Sequence, residues 1–596
     1  MNRIQRLVWN RFRDWLQSTP APAQCNADGG NATTRTRIAR KLLLLTSTAL
    51  VLASGVTMAT PLPDANFVTS ATWTVTGVGE PAAIDSTNCT ANSCPTLRDA
   101  INSAASGDTV VFDSALDGQT IVLTMASNNL GCQTAGPTAC DGDGGTLSTE
   151  FGPSAFFITG GKTLTIDATQ NGLKRGIVLS AANSGCSPGA CFRLFDIDSG
   201  SGLSLMGLTL RGGLALGGSS FYGGGALGAG GAIFNQGSLV LARCALSGNT
   251  AQGASTSTIS SEIGAGGVGG YPDSYTGNGG GPNGGAVFFK VPDPNNGGYG
   301  GFGGGGGGSS GSGLGGNGGF GGGGGLTYLS TGFGGAGGFG GGGGGAAQTG
   351  SGGANGFGGG SAYGQSGGPG AGMGGAIFND AGNVSLINST LSANTALGGG
   401  GYGSGNASGY GGAIFNYMGS LTLNFVTIDG NIVIGGNGAI SYPPDVGNAD
   451  GGAIYSLGDN TAACQSGGNV CATTGATLSM NNSIAANSIG STSDVVVATI
   501  NGGSSTSSGS GNLVIVQNGF SGSVTSTADP QLNALIGGGG IWNVMAPKAG
   551  SPAIDAVACD GTATDQRGVN RPQGTQCDIG SVEFDGDVIF VDGFGN

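Results

Sequence analysis

The chain contains no histidine. That removes Ser-His-Asp triads and His-dependent general acid–base chemistry. Charge is scarce as well, at 9% of residues, and between residues 201 and 546 the basic side chains are only Arg211, Arg243 and Lys290. A pectate-lyase-like site needs several carboxylates holding Ca²⁺ beside an Arg or Lys base, and that middle stretch has little to build one from. From Pro294 to Asn379 there is no charged residue at all. Long apolar runs are missing too: Leu42–Leu52 is the longest, and it is short for a membrane span of roughly 20 residues.

What the chain has instead is glycine, 133 of 596 residues. No strict three-residue period runs through the chain, so this is not collagen. The formal charge is −14, and it divides unevenly: residues 1–41 carry eight basic and two acidic side chains, leaving −20 for the remainder. A polyanion of this kind is repelled by nucleic acid and by anionic lipid. Arg35–Lys41, Leu42–Leu52 and Thr57-Met58-Ala59 have the basic, apolar and small-residue order of an export signal. The run from Met1 to Arg11 ahead of it resembles the extended signal-peptide region of type V secreted proteins of Gram-negative bacteria. Residues 1–59 are therefore expected to be an extended signal peptide.

Cysteines agree with export. Ten of the twelve fall in near-neighbour pairs: Cys89 with Cys94, Cys132 with Cys140, Cys186 with Cys191, Cys464 with Cys471, and Cys559 with Cys577. In an oxidising compartment such pairs are disulfide candidates. Cys25 would leave with the signal, and Cys244 reads as a small buried apolar residue.

The strongest pattern is a repeat. Gly-Gly-Ala-Ile-Phe-Asn occurs at Gly230–Asn235, Gly374–Asn379 and Gly411–Asn416, with a weaker copy at Gly451–Ser456. Each leads into an apolar-alternating tail closed by Asn: Asn249, Asn394, Asn431 and Asn487. Such periodicity indicates a solenoid. Strand candidates at Thr163–Asp167, Gly176–Ser180, Phe192–Ile197 and Leu203–Leu210 are too closely spaced for crossover helices. The expected fold is all-β, a right-handed parallel β-helix. Leu239, Leu241, Cys244 and Leu246 would point inward, and Asn235, Asn249, Asn379, Asn394, Asn416, Asn431 and Asn487 would stack at equivalent turns. Thr96 can cap a short helix whose Leu97, Ala100, Ile101 and Ala104 share a face, suited to covering the solenoid end.

The organisation that follows is an N-terminal cap and first coils over 60–154 and a β-helix over 155–500. C-terminal coils and a closing segment occupy 501–584, with a short tail at 585–596. The Gly-rich insert at about 294–372 is expected to be a flexible or loosely ordered loop, because glycine loses the most backbone entropy on ordering and the tract has little to bury.

Two sets of motifs carry a family resemblance. Cys89…Cys94-Pro-Thr-Leu-Arg-Asp-Ala-Ile and the Gly-Gly-Ala-Ile copies resemble polymorphic outer-membrane proteins. Gly550-Ser551-Pro552-Ala553-Ile554-Asp555, Asp565-Gln566-Arg567-Gly568 and Cys577-Asp578-Ile579-Gly580 resemble the choice-of-anchor Q family. The resemblance implies a secreted or outer-membrane surface protein of a Gram-negative bacterium, often adhesin-like; the long contact surface of a solenoid, with its coil faces and inserted loops, points to glycans or surface proteins as the expected partners. The competing expectation is a β-helix polysaccharide lyase or hydrolase, since coils bring distant carboxylates together. Asp445, Asp450 and Asp459 are the nearest approach to a cluster, and they read as turn residues. The densest charged group, Asp555, Asp565, Arg567, Arg571, Asp578 and Glu583, reads as an ion-pair network closing the last coil. Asp565, Asp578 and Glu583 are the competing candidates for a Ca²⁺ site; no other cofactor is implied.

Overall fold

A computed structural model describes residues 70–126, 151–184, 186, 191–220, 222–256, 265–267, 279–281, 296–309, 313–327, 332–346, 350–438, 440–441, 446–460, 475–535 and 543–586. The leader, Cys25, Asp445 and the last ten residues lie outside them. So do two of the five expected disulfides, Cys132 with Cys140 and Cys464 with Cys471: all four of these cysteines fall outside the described residues.

Among the described residues the chain winds into a parallel β-helix solenoid whose main sheets have ten, nine and eight strands. The repeats lie in register, one above the next. Ile233 pairs with Ile377, then Ile414, then Ile454, and Leu239 with Val384, Leu421 and Leu478 in the neighbouring sheet. These side chains, with Leu241, Cys244 and Leu246, are buried in one continuous core. Stacking like on like lets each coil bury its apolar face on the next, which no single coil can do alone.

The helix α1 spans Leu97–Ser103. Thr96 caps it, its hydroxyl accepting from the Asp99 N–H at 3.1 Å, and Leu97, Ala100, Ile101 and Ala104 are buried. The other end is finished differently. In the last coil Ser505 and Ser507 lie under Ala476 and Leu478, so polar residues replace the inward aliphatics where stacking stops.

Two asparagine ladders run along the corners. Asn235 donates to Asn379 (2.7 Å), Asn379 to Asn416 (2.8 Å), and Asn416 to Ser456 (3.0 Å). Asn249 donates to Asn394 and Asn394 to Asn431, each at 2.9 Å. Each of these amides also satisfies a buried backbone carbonyl, a group that is costly to leave unpaired. Asn487 is not part of the ladder. Asp429 pairs with Ala486, which sets Asn487 opposite Gly430, one residue early. Gly248, Ala393, Gly430 and Asn487 take the left-handed turn at φ +63, +55, +64 and +54°. The turn residue and the ladder residue are therefore neighbours, and the turn in this coil is the Asn itself.

Among the described residues, the segment after the last strand closes no coil end. Residues 543–586 lie along the nine-stranded sheet, over five successive coils. Asn543 donates to Thr209, Gln566 to the Cys244 carbonyl, Thr390 to Gln566, the Ser581 N–H to Thr427, and the Gly580 N–H to the Asn482 carbonyl. The ion-pair network expected at the solenoid end is present, but it clamps a flank.

The other three expected disulfides, Cys89–Cys94, Cys186–Cys191 and Cys559–Cys577, are formed. Cys244 is a free, buried thiol, its pKa pushed up to about 12 by burial. No described helix is long and apolar enough to cross a membrane.

Candidate binding surface on a glycine lattice

Where it is described, the charge-free insert is a backbone-paired lattice, which differs from the expectation of a loose loop. Its local sequence has a period of three. Asn296-Gly-Gly-Tyr299-Gly-Gly-Phe302, Leu314-Gly-Gly-Asn317-Gly-Gly-Phe320 and Phe333-Gly-Gly-Ala336-Gly-Gly-Phe339 are followed by Ser351-Gly-Gly-Ala354-Asn-Gly-Phe357. A polyproline-II-like pass has three residues per turn and no internal hydrogen bonds, so its N–H and C=O groups must pair with neighbouring passes. They do. Gly307 donates to Gly298, Gly316 to Gly307, Gly325 to Gly316, Gly335 to Gly325, Gly344 to Gly335 and Gly353 to Gly344, at 2.7–2.9 Å. The chain zigzags between an outer layer (296–301, 314–319, 333–338, 351–356) and an inner one (303–309, 321–327, 340–346, 358–360).

The inner layer is bonded in turn to glycine-rich connections of the solenoid. Gly342 donates to Gly225, Gly323 to Gly266, and Gly305 to Gly280. The later connections extend the lattice, with Gly399 donating to Gly370, Ala407 to Gly399, and Gly436 to Ala407. Glycine is required by contact: a Cβ on Gly338 would sit 1.7 Å from the Gly319 oxygen, and one on Gly335 1.9 Å from the Gly316 oxygen. The entropy cost of ordering glycine is offset by backbone pairing at a distance no other residue permits.

Each change from the outer to the inner layer occurs at a Phe-Gly step, with Gly303, Gly321, Gly340 and Gly358 at φ +73 to +79°. The four phenylalanines stack, with centroids 5.4, 5.2 and 5.5 Å apart. They pack on a second aromatic ladder, Phe234–Phe378–Phe415–Tyr455, supplied by the repeated hexapeptide. In that hexapeptide Ile faces the solenoid core and Phe faces the lattice. Phe151 extends the second ladder, stacked on Phe234 at 4.2 Å, and the buried Arg193 guanidinium lies 5.6 Å from the Phe234 centroid.

The remaining triplet positions point outward in two columns. Backbone bonds from Gly297 to Leu314, Gly315 to Phe333 and Gly334 to Ser351 align Asn296, Leu314, Phe333 and Ser351. Those from Gly300 to Asn317, Gly318 to Ala336 and Gly337 to Ala354 align Tyr299, Asn317, Ala336 and Ala354. Tyr299 is 72% exposed, Phe333 59% and Leu314 46%. The exposed aromatic side chains among the described residues are Tyr299, Phe333 and Tyr363, and all three lie in this insert.

The carboxylates weighed for chemistry are otherwise engaged. Asp565 accepts from the Arg567 and Val569 N–H groups and pairs with the Arg567 guanidinium at 2.8 Å. Glu583 pairs with Arg571 and accepts from the Asp578 and Gln573 N–H groups. Asp578 accepts from the Asp555 and Phe584 N–H groups, and burial pushes its pKa up to about 6. Such donor-filled oxygens suit an ion-pair clamp. Among the described residues no group of three or more His, Cys, Asp or Glu is placed to hold a metal ion. Asp450 accepts from Ser491 and Thr492, and Asp459 from Tyr417 and Asn501. Outward triplet residues were visible in the sequence only through their period of three.

No protein-family model matches the chain, and no curated protein or solved structure matches it.

Proposed function

We propose that this protein is a secreted or outer-membrane surface scaffold of a Gram-negative bacterium, adhesin-like and of the polymorphic outer-membrane protein and choice-of-anchor type. It binds glycans or surface proteins through its coil faces and inserted loops. The observation that supports this most is the division of labour among side chains. The carboxylates at the candidate clusters are tied into hydrogen bonds and ion pairs, while the exposed rings stand on a hydrogen-bonded lateral lattice. An extended surface of many weak contacts suits adhesion better than turnover.

Cell fractionation with protease accessibility tests the reading, together with a screen of acidic and neutral polysaccharides for both retention and turnover. Surface exposure with retention and no turnover is expected. Confinement to the cytoplasm, or turnover abolished by a single Asp substitution, overturns it.

A further inference from the structure

We infer that the outward face of the glycine lattice is a binding site for a neutral polysaccharide, with Tyr299 and Phe333 as its stacking platforms. The inference rests on the scaffold reading and names its partner.

Three observations carry it. First, the exposed rings are concentrated here, whereas most aromatic side chains elsewhere in the solenoid are buried or half-buried. An exposed aromatic ring is an apolar face that gains by being covered. Second, the rings are held in place. Tyr299 and Phe333 stand on outer-layer passes paired to their neighbours: Gly300 donates to Asn317 beside Tyr299, and the pass of Phe333 is paired on both sides, Gly315 donating to Phe333 and Gly334 to Ser351. A ligand meeting a fixed backbone does not bear the cost of ordering a loop, and Tyr and Phe have few side-chain torsions to lose.

Third, the patch is neutral on an acidic chain. No charged residue occurs from 294 to 379, while the chain beyond its first 41 residues carries −20. Acidic glycans and nucleic acids are repelled by that field, and a neutral chain is not.

The chemistry of the two columns matches a sugar polymer. The apolar C–H face of a pyranose ring stacks on an aromatic face, and its hydroxyls need amides or hydroxyls beside it. Asn317 and Ser351 stand exposed on the same face. Tyr299 and Phe333 lie two passes and one triplet apart. With about 3.1 Å of rise per residue and about 5 Å between passes, that is on the order of 14 Å, a span of a few pyranose rings. The outer layer is a series of like-directed passes, a shape that suits an extended polymer lying across it better than a small molecule.

The test uses the purified full chain. Retention is measured on insoluble cellulose and chitin, and affinity electrophoresis is run in gels containing a neutral β-glucan, with pectate and alginate as acidic controls. The wild type is expected to be retained by at least one neutral polymer and not by the acidic ones. The double substitution Tyr299→Ala with Phe333→Ala should weaken retention at least tenfold, whereas Ile489→Ala, an exposed apolar position off the lattice, should leave it unchanged. The ring-preserving pair Tyr299→Phe with Phe333→Tyr should keep binding, which separates loss of the rings from loss of the fold. Undiminished retention of the double Ala variant overturns the inference and leaves the scaffold reading standing. So does retention on acidic polymers alone, or a double variant that alters only self-association, which would make a second copy the occupant. If no neutral polymer retains the wild type the inference fails as well, and the scaffold reading is then decided by surface exposure.

Discussion

Phe234 stacks on Phe378 with ring centroids 5.4 Å apart and planes within 10°, although 144 residues separate them. What lies between is mostly the glycine lattice, which returns to cover the rings whose alignment it leaves undisturbed. The coil that stops at Gln252 resumes at Gly372, in register, as the next stops at Leu397 and resumes at Gly409. Lattice and solenoid thus share an aromatic interface, and their backbones meet at the glycine-rich connections, where Gly342 donates to Gly225 and Leu227 to Gly321. Replacing residues 257–366 by a short Gly-Ser linker should leave the coils folded, with the parallel-β circular dichroism signal retained. Phe378, Phe415 and Tyr455 would then be bare. Increased dye binding by exposed apolar surface and concentration-dependent association in sedimentation are the expected outcomes; a monodisperse, dye-silent product would show that the lattice does not cover this ladder.

Within the lattice, cost should track backbone proximity and not position in the sequence. Gly338→Ala places a Cβ 1.7 Å from the Gly319 oxygen, so the passes must separate. The expected loss is about 3 kcal/mol or more of local stability, read as new protease cleavage between 296 and 360. Ala336→Ser, two residues away on the outward column, should change stability by less than about 0.5 kcal/mol. Equal behaviour of the two variants would contradict the hydrogen-bonded lattice.

The pH dependence has a stated sign. Burial pushes the pKa values of Asp380 and Asp429 up to about 6, against donation from Gln236 and Asn487 respectively. A carboxyl whose folded value lies above its unfolded value takes up a proton more readily when folded. Stability therefore rises as pH falls from about 7 through 6 toward the unfolded value near 4. Below that, Asp99 works the other way: burial raises it, but donation from Ser86, Thr96 and the Asn88 N–H outweighs burial and holds it below the usual range. Stability it contributes is lost on further acidification. Denaturant midpoints should accordingly peak on the acid side of neutrality. Asp380→Asn keeps an acceptor for Gln236 and removes the buried charge, so it should stabilise the protein at pH 7 by about 1–3 kcal/mol and flatten the slope between pH 4 and 7. A slope of opposite sign would refute the assignment.

Much of the solenoid could be read from residues alone, because coil stacking rewards the alternation and the repeats that sequence displays directly. Thr96, Leu97, Ala100 and Ile101 define the cap without help from the rest of the chain. Asn487 shows where that reading stops: an Asn before Ser looks the same whether it takes the left-handed turn or the ladder position, and only pairing of Asp429 with Ala486 decides. The lattice departs from the expectation for a physical reason. Weighing glycine by entropy and side-chain burial assigns it nothing to gain, yet Leu314-Gly-Gly-Asn317-Gly-Gly-Phe320 already carries the period of a backbone-paired pass. The C-terminal charges were legible as an ion-pair group, but their seat on the flank depends on Thr390, Thr427 and Gln566 meeting across long sequence separations.

That clamp gives the last prediction. Arg571 is buried with Glu583, its guanidinium also donating to the Gly580 carbonyl and to Asn388, and it lies 4.1 Å from the Phe425 centroid. Removing one partner of such a pair leaves a buried charge facing only N–H dipoles, a loss of about 3–5 kcal/mol. Arg571→Met should therefore release residues 543–586 from the nine-stranded sheet, seen as faster amide exchange at Gln566, Gly580 and Ser581 with the coil core still protected. Opening Cys559–Cys577 by Cys559→Ser with Cys577→Ser removes an 18-residue closure and should cost about 3 kcal/mol in the same segment. Chelation discriminates the clamp from a Ca²⁺ site built on Asp565, Asp578 and Glu583. With those oxygens facing guanidinium and backbone N–H groups, excess EDTA should leave both the melting temperature and the exchange rates where they were. A fall in melting temperature reversed by added Ca²⁺ would assign the three carboxylates to a cation instead.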